Sequence, residues 1–92
     1  MNNIEQIKEL MKQAKSIVEL IDAVRKAEIP AIYMREADNP LKKQYGLDVN
    51  KKWHRFFVET SLTPVNKWEN ISNYSMLLIS DDLQDIKIID KS

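Results

Sequence analysis

Residues Tyr74–Ser80 read Tyr-Ser-Met-Leu-Leu-Ile-Ser, with four consecutive apolar side chains at positions 76–79. Apolar residues on both faces are typical of a strand covered on both sides, or of one covered on one side with its other side in an interface. The acidic residues 81–85 predict a turn, and the alternating pattern that follows predicts a returning strand over residues 85–89. This part of the chain therefore predicts the inner strand of a sheet and an antiparallel neighbour.

Two further strands are predicted before this hairpin. Residues 53–59, Trp-His-Arg-Phe-Phe-Val-Glu, are aromatic and β-branched and contain no glycine or proline. Residues 31–35, Ala-Ile-Tyr-Met-Arg, follow Pro30 and are also rich in residues that favour strands. With the hairpin, these segments predict a sheet of three to four strands.

The connections between these strands carry turn and capping signals. Residues 37–52 contain Pro40 and Gly46, the one glycine of the chain, and predict a loop with one helical turn after Pro40. Thr63 followed by proline is the start of a helix in which threonine caps and proline takes the first position. We therefore expect a short helix over residues 64–71, before the C-terminal hairpin.

The N-terminal segment, residues 3–28, has no glycine or proline and is rich in strong helix formers. Its apolar residues recur at steps of three and four at Ile4, Ile7, Met11, Ala14, Val18 and Ile21, flanked by Leu10, Ile17 and Val24. A stripe of this width is typical of a helix that packs on a sheet. Ser16 and Glu19 match a capping box, which would split the segment into two helices near Lys15. The unbroken spacing across Ser16 favours one helix.

The sequence therefore predicts an α+β fold in a single domain spanning residues 1–92. A long N-terminal helix packs on a small, mainly antiparallel sheet of three to four strands, with a short helix before the C-terminal hairpin. A length of 92 residues is sufficient for one hydrophobic core.

The amino-acid composition excludes several kinds of functional site. The chain has 14 basic and 14 acidic residues and no cysteine, which excludes disulfides and cysteine-ligated metal sites. The N-terminus has no signal-peptide pattern, and no apolar run approaches the roughly 20 residues that span a bilayer. We therefore expect a cytoplasmic protein that does not bind membranes. One glycine also excludes a glycine-rich phosphate loop, and no cofactor is expected.

A basic and aromatic stretch, residues 42–57, is the first candidate site. It carries five cations and one acid between Lys42 and Arg55. Cations reach phosphates and flat side chains stack on unpaired bases, so the stretch could bind single-stranded nucleic acid. The residues for that alternative are Lys42, Lys43, Tyr45, Lys51, Lys52, Trp53 and Arg55. The simpler interpretation places the aromatic residues in the core and the lysines in a solvated loop.

Neither the acidic residues nor the histidine predicts catalysis. Asp81, Asp82 and Asp85 could hold a divalent cation, but the EF-hand pattern is absent and aspartate is itself a common turn residue. His54 is the only histidine, and the sequence assigns it no orienting partner. No nucleophile motif is recognisable. We therefore expect neither a metal site nor enzyme activity.

The remaining feature is an excess of aromatic surface over what one helix covers. Small proteins with exposed apolar patches commonly bind partners through them. The predicted function is therefore a non-catalytic protein–protein interaction module that acts by occupying a surface, as inhibitors, antitoxins, immunity proteins and accessory proteins do. Its predicted anchors are Trp53, Phe57, Trp68 and Tyr74, with a charged rim of Lys51, Lys52 and Arg55. A further alternative is a homodimer, formed through the long helix or the edge of the last strand.

Overall fold

The computed structural model describes residues 2–59 and 74–90. They form a sheet of four antiparallel strands in the order β1-β2-β3-β4. The strands are β1 (Ala31–Glu36), β2 (Trp53–Glu59), β3 (Tyr74–Ser80) and β4 (Ile86–Asp90). Each strand begins and ends within one residue of the range expected from the sequence, and the α+β fold class is confirmed.

The N-terminal segment forms two helices, α1 (Asn3–Gln13) and α2 (Ile17–Lys26), so the prediction of one long helix is wrong. Ser16 is the N-cap of α2, and its side chain accepts a hydrogen bond of 3.2 Å from the backbone N–H of Glu19. The Glu19 carboxylate accepts one of 2.5 Å from the backbone N–H of Lys15. The first bond is the one that a capping box predicts, whereas in the second Glu19 binds the N–H of the residue before the N-cap instead of that of Ser16 itself.

The break between the helices changes which side chains face the sheet. Val18, part of the expected stripe, is 70% exposed, whereas Leu20, which was outside it, is fully buried. The inner face of α2 is formed by Ile17, Leu20, Ile21 and Val24. Because the apolar stripe is wide, it remains unbroken in the sequence even though the helix breaks and different residues of α2 face the sheet. An unbroken stripe therefore does not show that the helix is continuous.

The chain leaves α2 through a tight C-terminal cap that leads directly into β1. The backbone N–H of Ile29 donates to the carbonyl of Val24 at 3.3 Å, and that of Glu28 donates to Arg25 at 3.0 Å. This is the Schellman arrangement, in which the residue at the Glu28 position adopts a left-handed conformation. Glu28 does so with φ of 56°. The cap therefore ends α2 beside the first residues of β1.

One face of the sheet, termed the helix-covered face, packs against α1 and α2. Its fully or nearly fully buried core consists of Ile7, Leu20, Val24, Ile29, Phe56, Val58, Leu77 and Ile79. These side chains alternate along β2 and β3, as required when one face of a strand meets a helical layer. The main hydrophobic core therefore lies between the two helices and the sheet.

The opposite side, termed the second face, carries a smaller cluster. Its buried members are Ala37, Trp53, Met76 and Leu78, with Leu41, Tyr45, Leu47, Phe57 and Ile89 packed against them. The short helix α3 (Asn39–Gln44) lies in the β1–β2 connection and starts at Asp38, whose side chain caps Leu41 N–H at 2.9 Å. This confirms the expected helical turn after Pro40 and the burial of β3 on both faces. The expected helix over residues 64–71 lies outside the described residues.

Candidate functional site

Trp53, the first predicted anchor, lies inside the protein. Only 5% of the residue is exposed, and its indole N–H donates a 3.0 Å hydrogen bond to the carbonyl of Asp48. It packs with Ala37 and Leu78 in the cluster on the second face. Its aromatic ring therefore supports the surface from below and is not itself presented to a partner.

The basic residues of the 42–57 stretch are partly engaged within the chain. Lys42 is 8% exposed, and its ammonium donates to the carbonyl of Val49 at 3.4 Å. Lys51 lies 2.8 Å from Asp85 and 3.5 Å from Asp82. The hydrogen bond to Asp85 is the main cause that raises the pKa of Lys51. Both lysines are therefore less available to a phosphate chain than the sequence alone implies.

The other members of the predicted sites are more accessible. Lys43 and Lys52 are exposed. Phe57 and Tyr74 are half-buried, and their rings meet edge to face with centroids 5.6 Å apart. Tyr45 is half-buried and packs against the smaller cluster. Trp68 lies outside the described residues.

One acidic residue, Asp82, stabilises the backbone of the β3–β4 turn. The Asp82 carboxylate accepts hydrogen bonds from the Ser80 hydroxyl at 2.6 Å and the Gln84 N–H at 3.1 Å. These two bonds, the Ser80 bond first, lower the pKa of Asp82. Asp82 therefore stabilises the turn, whereas the carboxylates of Asp81 and Asp85 contact His54 and Lys51. Within residues 2–59 and 74–90, no group of three or more acidic or histidine side chains is placed to hold a metal.

His54 connects two side chains through its ring nitrogens. Its Nδ1 lies 2.9 Å from the Tyr33 hydroxyl, and its Nε2 lies 2.7 Å from an oxygen of Asp81. His54 is 5% exposed. Burial raises the pKa of Tyr33, and the carboxylates of Glu36 and Asp81 add to this effect. The Tyr33 hydroxyl is therefore protonated at neutral pH and serves as a hydrogen-bond partner that fixes the ring.

A groove of about 230 Å³ runs between α2 and the edge strand β1. It is lined by Ile21, Val24 and Arg25 from α2, Ala31, Ile32 and Tyr33 from β1, and Phe56 from β2. The groove forms because α2 ends beside β1 and leaves the margin of the sheet uncovered. The side chains that line it are apolar except for Tyr33, with its hydroxyl, and Arg25, which is exposed, and other polar atoms also reach its surface.

The strand beside this groove exposes apolar side chains at the edge of the sheet. Ile32 is 42% exposed and Met34 is 47% exposed. Among the described residues, β2 is the only strand that pairs with β1. The register shifts between Tyr33 and Arg35, which makes Met34 the extra residue of a bulge. A bulge limits continuous pairing along an edge, so the segment before it, beside the groove, is the part best shaped for pairing.

Two arginines face each other on the second face, where β1 pairs with β2. Arg35 and Arg55 are cross-strand partners, an arrangement that is unfavourable for like charges. Arg55 is half-buried, and its Nε atom is buried without a hydrogen-bond partner. Within the described part of the chain, neither arginine forms an ion pair.

No pattern in the sequence assigned a role to the β1 edge. The strand itself was predicted, but Arg25, Ile32, Met34 and Arg35 were not among the candidate residues. Whether a strand lies at the edge or the centre depends on long-range pairing, which the local sequence does not reveal. Residues 31–34 are four consecutive apolar residues, like residues 76–79 of the inner strand, so their pattern does not distinguish the two positions.

Comparison of the chain with known protein families, with curated proteins and with solved structures finds no match. In the ranges 2–59 and 74–90, no helix is long and apolar enough to cross a bilayer. The function of the protein must therefore be inferred from the arrangement of its own side chains.

Proposed function

We propose that this protein is a small non-catalytic interaction module that binds an extended segment of a partner protein along the outer edge of β1. The observation that carries this proposal is the outer edge of β1, which borders the groove between α2 and β1 on one face and exposes Ile32 on the other face and Met34 at the bulge. By binding there, the module would occupy a surface of its partner, as inhibitors and accessory proteins do.

Strand addition suits this edge for two reasons. An edge strand presents unpaired backbone N–H and C=O groups, which an extended segment satisfies by adding a strand. Alternate side chains of the added strand then point to opposite faces of the sheet. Those on the helix-covered face meet the apolar groove, where burial of Ile21 and Ala31 against an apolar side chain contributes to affinity.

The hydrogen bonds that link Tyr33, His54 and Asp81 support a structural role for these three side chains. Both ring nitrogens have partners within the protein, one of them the raised-pKa hydroxyl of Tyr33. A catalytic base must reach the proton that it removes from a substrate, whereas the His54 ring is 5% exposed. We therefore propose that the hydrogen bonds among Tyr33, His54 and Asp81 stabilise the sheet and take no part in a reaction.

Two other functions remain predictions, with less support. Binding of single-stranded nucleic acid would use Lys42, Lys43, Tyr45, Lys51, Lys52, Trp53 and Arg55. Of these, Lys42 and Trp53 are buried and Lys51 is engaged by internal partners, whereas Lys43 and Lys52 are exposed. A homodimer could form through either edge strand, since Ile88 of β4 is also 41% exposed. The β1 edge is favoured because the groove lies next to it.

The test uses three forms of the full chain as bait in extracts of the source cells: wild type, Ile32→Lys and Val18→Lys. Both substitutions place lysine at an exposed apolar position, but Val18 is remote from β1, on the outer side of α2. We expect the wild type and Val18→Lys to retain the same protein and Ile32→Lys to lose it. Hydrogen exchange with the purified partner should then show protection of the β1 amides.

Retention of the same protein by the Ile32→Lys bait would overturn the proposal, as would protection confined to other parts of the chain. Light scattering of the wild type at two concentrations addresses the dimer. A molecular mass that doubles with concentration, and that stays at the monomer value in Ile32→Lys, would assign the β1 edge to a second copy of the chain instead.

A further inference from the structure

We propose that Arg35 and Arg55 together form a binding site for a carboxylate, supplied by an aspartate or glutamate of the partner segment that pairs with β1. This inference rests on the proposed function, because it names the chemistry of the same partner. It predicts a segment in which apolar residues alternate with acidic ones.

The position of the two arginines follows from the strand register. Arg35 is the cross-strand partner of Arg55, and Arg55 lies between Trp53 and Phe57 on the second face. The groove, in contrast, opens on the helix-covered side of β1. Because side chains alternate along a strand, one added strand can place apolar groups in the groove and acidic groups near Arg35.

The state of Arg55 is the second observation. A guanidinium N–H that is removed from water and left without an acceptor destabilises the folded chain. Arg55 has such an atom in Nε, and it also faces the like charge of Arg35. A carboxylate placed between the two guanidinium groups would accept N–H groups from their Nη atoms and offset the repulsion between the two charges.

A carboxylate suits the surroundings better than a nucleic-acid phosphate. The neighbours of the pair on the second face are apolar, including Ile32 and Phe57. A phosphate chain needs a row of available cations, but Lys51 is paired with Asp82 and Asp85 and Lys42 is buried, which leaves Lys43 and Lys52 as the exposed lysines of residues 42–57. One planar carboxylate, by contrast, matches the fork of N–H donors that arginine presents.

The test measures the affinity of two fluorescein-labelled peptides for the full chain by fluorescence anisotropy. Each peptide has six residues, the length of β1: one alternates valine with aspartate and the other valine with asparagine. A thymidine oligonucleotide of equal charge is titrated in parallel. We expect the aspartate peptide to bind about tenfold more tightly than the asparagine peptide at low salt, and more tightly than the oligonucleotide.

Arginine variants then locate the preference. Arg35→Gln changes an exposed residue and should reduce the tenfold preference to less than about twofold, and Arg55→Gln should do the same. Lys87→Gln is the matched control, because Lys87 is exposed and aligned with Leu78 on the far strand of the same face. This variant removes the same charge and should leave the preference unchanged.

The outcomes separate the two proposals. Equal binding of both peptides, or an unchanged preference in Arg35→Gln, would overturn the carboxylate site while leaving strand addition at β1 intact. Tighter binding of the oligonucleotide would overturn it in favour of a phosphate ligand. Failure of both peptides to bind, even at high concentration, would count against strand addition itself and would remove this inference with it.

Discussion

The two faces of strand β2 differ in whether their buried polar atoms have hydrogen-bond partners within the protein. On the helix-covered face, Phe56 and Val58 are almost completely buried and His54 has a partner for each ring nitrogen. On the second face, Arg55 is half-buried with an unpartnered Nε and stands opposite Arg35. Within β2, the buried polar atoms of His54 therefore have hydrogen-bond partners, whereas the buried Nε atom of the next residue, Arg55, has none.

We relate this difference in hydrogen bonding to two roles of the side chains on β2, one in stability and one in binding. Folding alone favours a hydrogen-bond partner for each buried polar group. A buried polar atom without a partner, such as Arg55 Nε, reduces stability, and we propose that a bound partner molecule compensates the charge of the arginine pair. We therefore propose that the core beneath the helix-covered face serves folding, and that the β1 edge, with its groove and the arginine pair, serves binding.

The largest effect is expected within the helix-covered core. Leu20→Ala should lower the free energy of unfolding by about 2–5 kcal/mol, because it removes methyl groups from a fully buried site. Val18→Ala, two positions away and 70% exposed, should change it by less than about 0.5 kcal/mol. Urea denaturation of both variants measures the difference. Similar losses in the two variants would contradict the split into α1 and α2.

The second experiment removes the satisfied polar group of β2. His54→Leu should lower the free energy of unfolding by about 1–2 kcal/mol, because Tyr33 and Asp81 lose their shared partner. The 53% exposure of the Asp81 side chain limits the loss, since its carboxylate regains contact with water. Tyr33→Phe in the same background should then have little further effect. An unchanged stability in His54→Leu would show that the ring is not part of the folding contacts.

The third experiment tests the opposite side of the same strand. Arg55→Met keeps an unbranched stem but removes the unpartnered N–H and the charge facing Arg35. We expect stability to stay constant or rise by up to about 1 kcal/mol, while the preference for the aspartate peptide is lost. Thermal and urea denaturation measure the first quantity and anisotropy the second. A clear loss of stability would mean that Arg55 serves folding, which would remove the contrast between the two faces.

The fourth experiment concerns how the helical layer is built. Ser16→Ala should cost about 1 kcal/mol, because it removes the acceptor for the Glu19 N–H at the start of α2. Ser16→Asp is the matched control and should stay within about 0.5 kcal/mol of the wild type, since aspartate caps as well as serine. Equal losses in both variants would contradict the capping role.

The smallest effect is expected from pH. The pKa of Asp82 is lowered in the folded chain by its hydrogen bonds from Ser80 and Gln84. Its contribution to stability is therefore present above the unfolded value of about 3.8 and is lost as the pH falls through the lower, folded value. Asp82→Asn should reduce the acid sensitivity of unfolding slightly. A variant as acid-sensitive as the wild type would show that other carboxylates account for it.

The sheet could be predicted from local pattern because each strand carries its own signal. The two-sided apolar segment Tyr74–Ser80 identified the inner strand, and residues 53–59 were free of helix or turn signals. The helical layer was harder, because a stripe three positions wide fits both a continuous helix and a broken one. The capping box at Ser16 was the more informative signal, since it describes a specific hydrogen bond rather than an average.

The candidate site was less predictable, because its features depend on pairing. The pairing of Lys51 with Asp82 and Asp85, across a separation of more than thirty residues, cannot be read from charge order. The juxtaposition of Arg35 and Arg55 likewise requires the antiparallel register and the bulge at Met34. Sequence identified Arg55 as a rim residue but gave no reason to connect it with Arg35.

The most direct test of the central claim is a two-dimensional NMR titration of the labelled full chain with the alternating valine and aspartate peptide. We predict saturable shifts of the backbone signals of β1 and of the side-chain Nε–H signals of Arg35 and Arg55, and contacts between the peptide backbone and the outer edge of β1. Shifts confined to β4 or to residues 42–52, with β1 and the arginines unchanged, would contradict it.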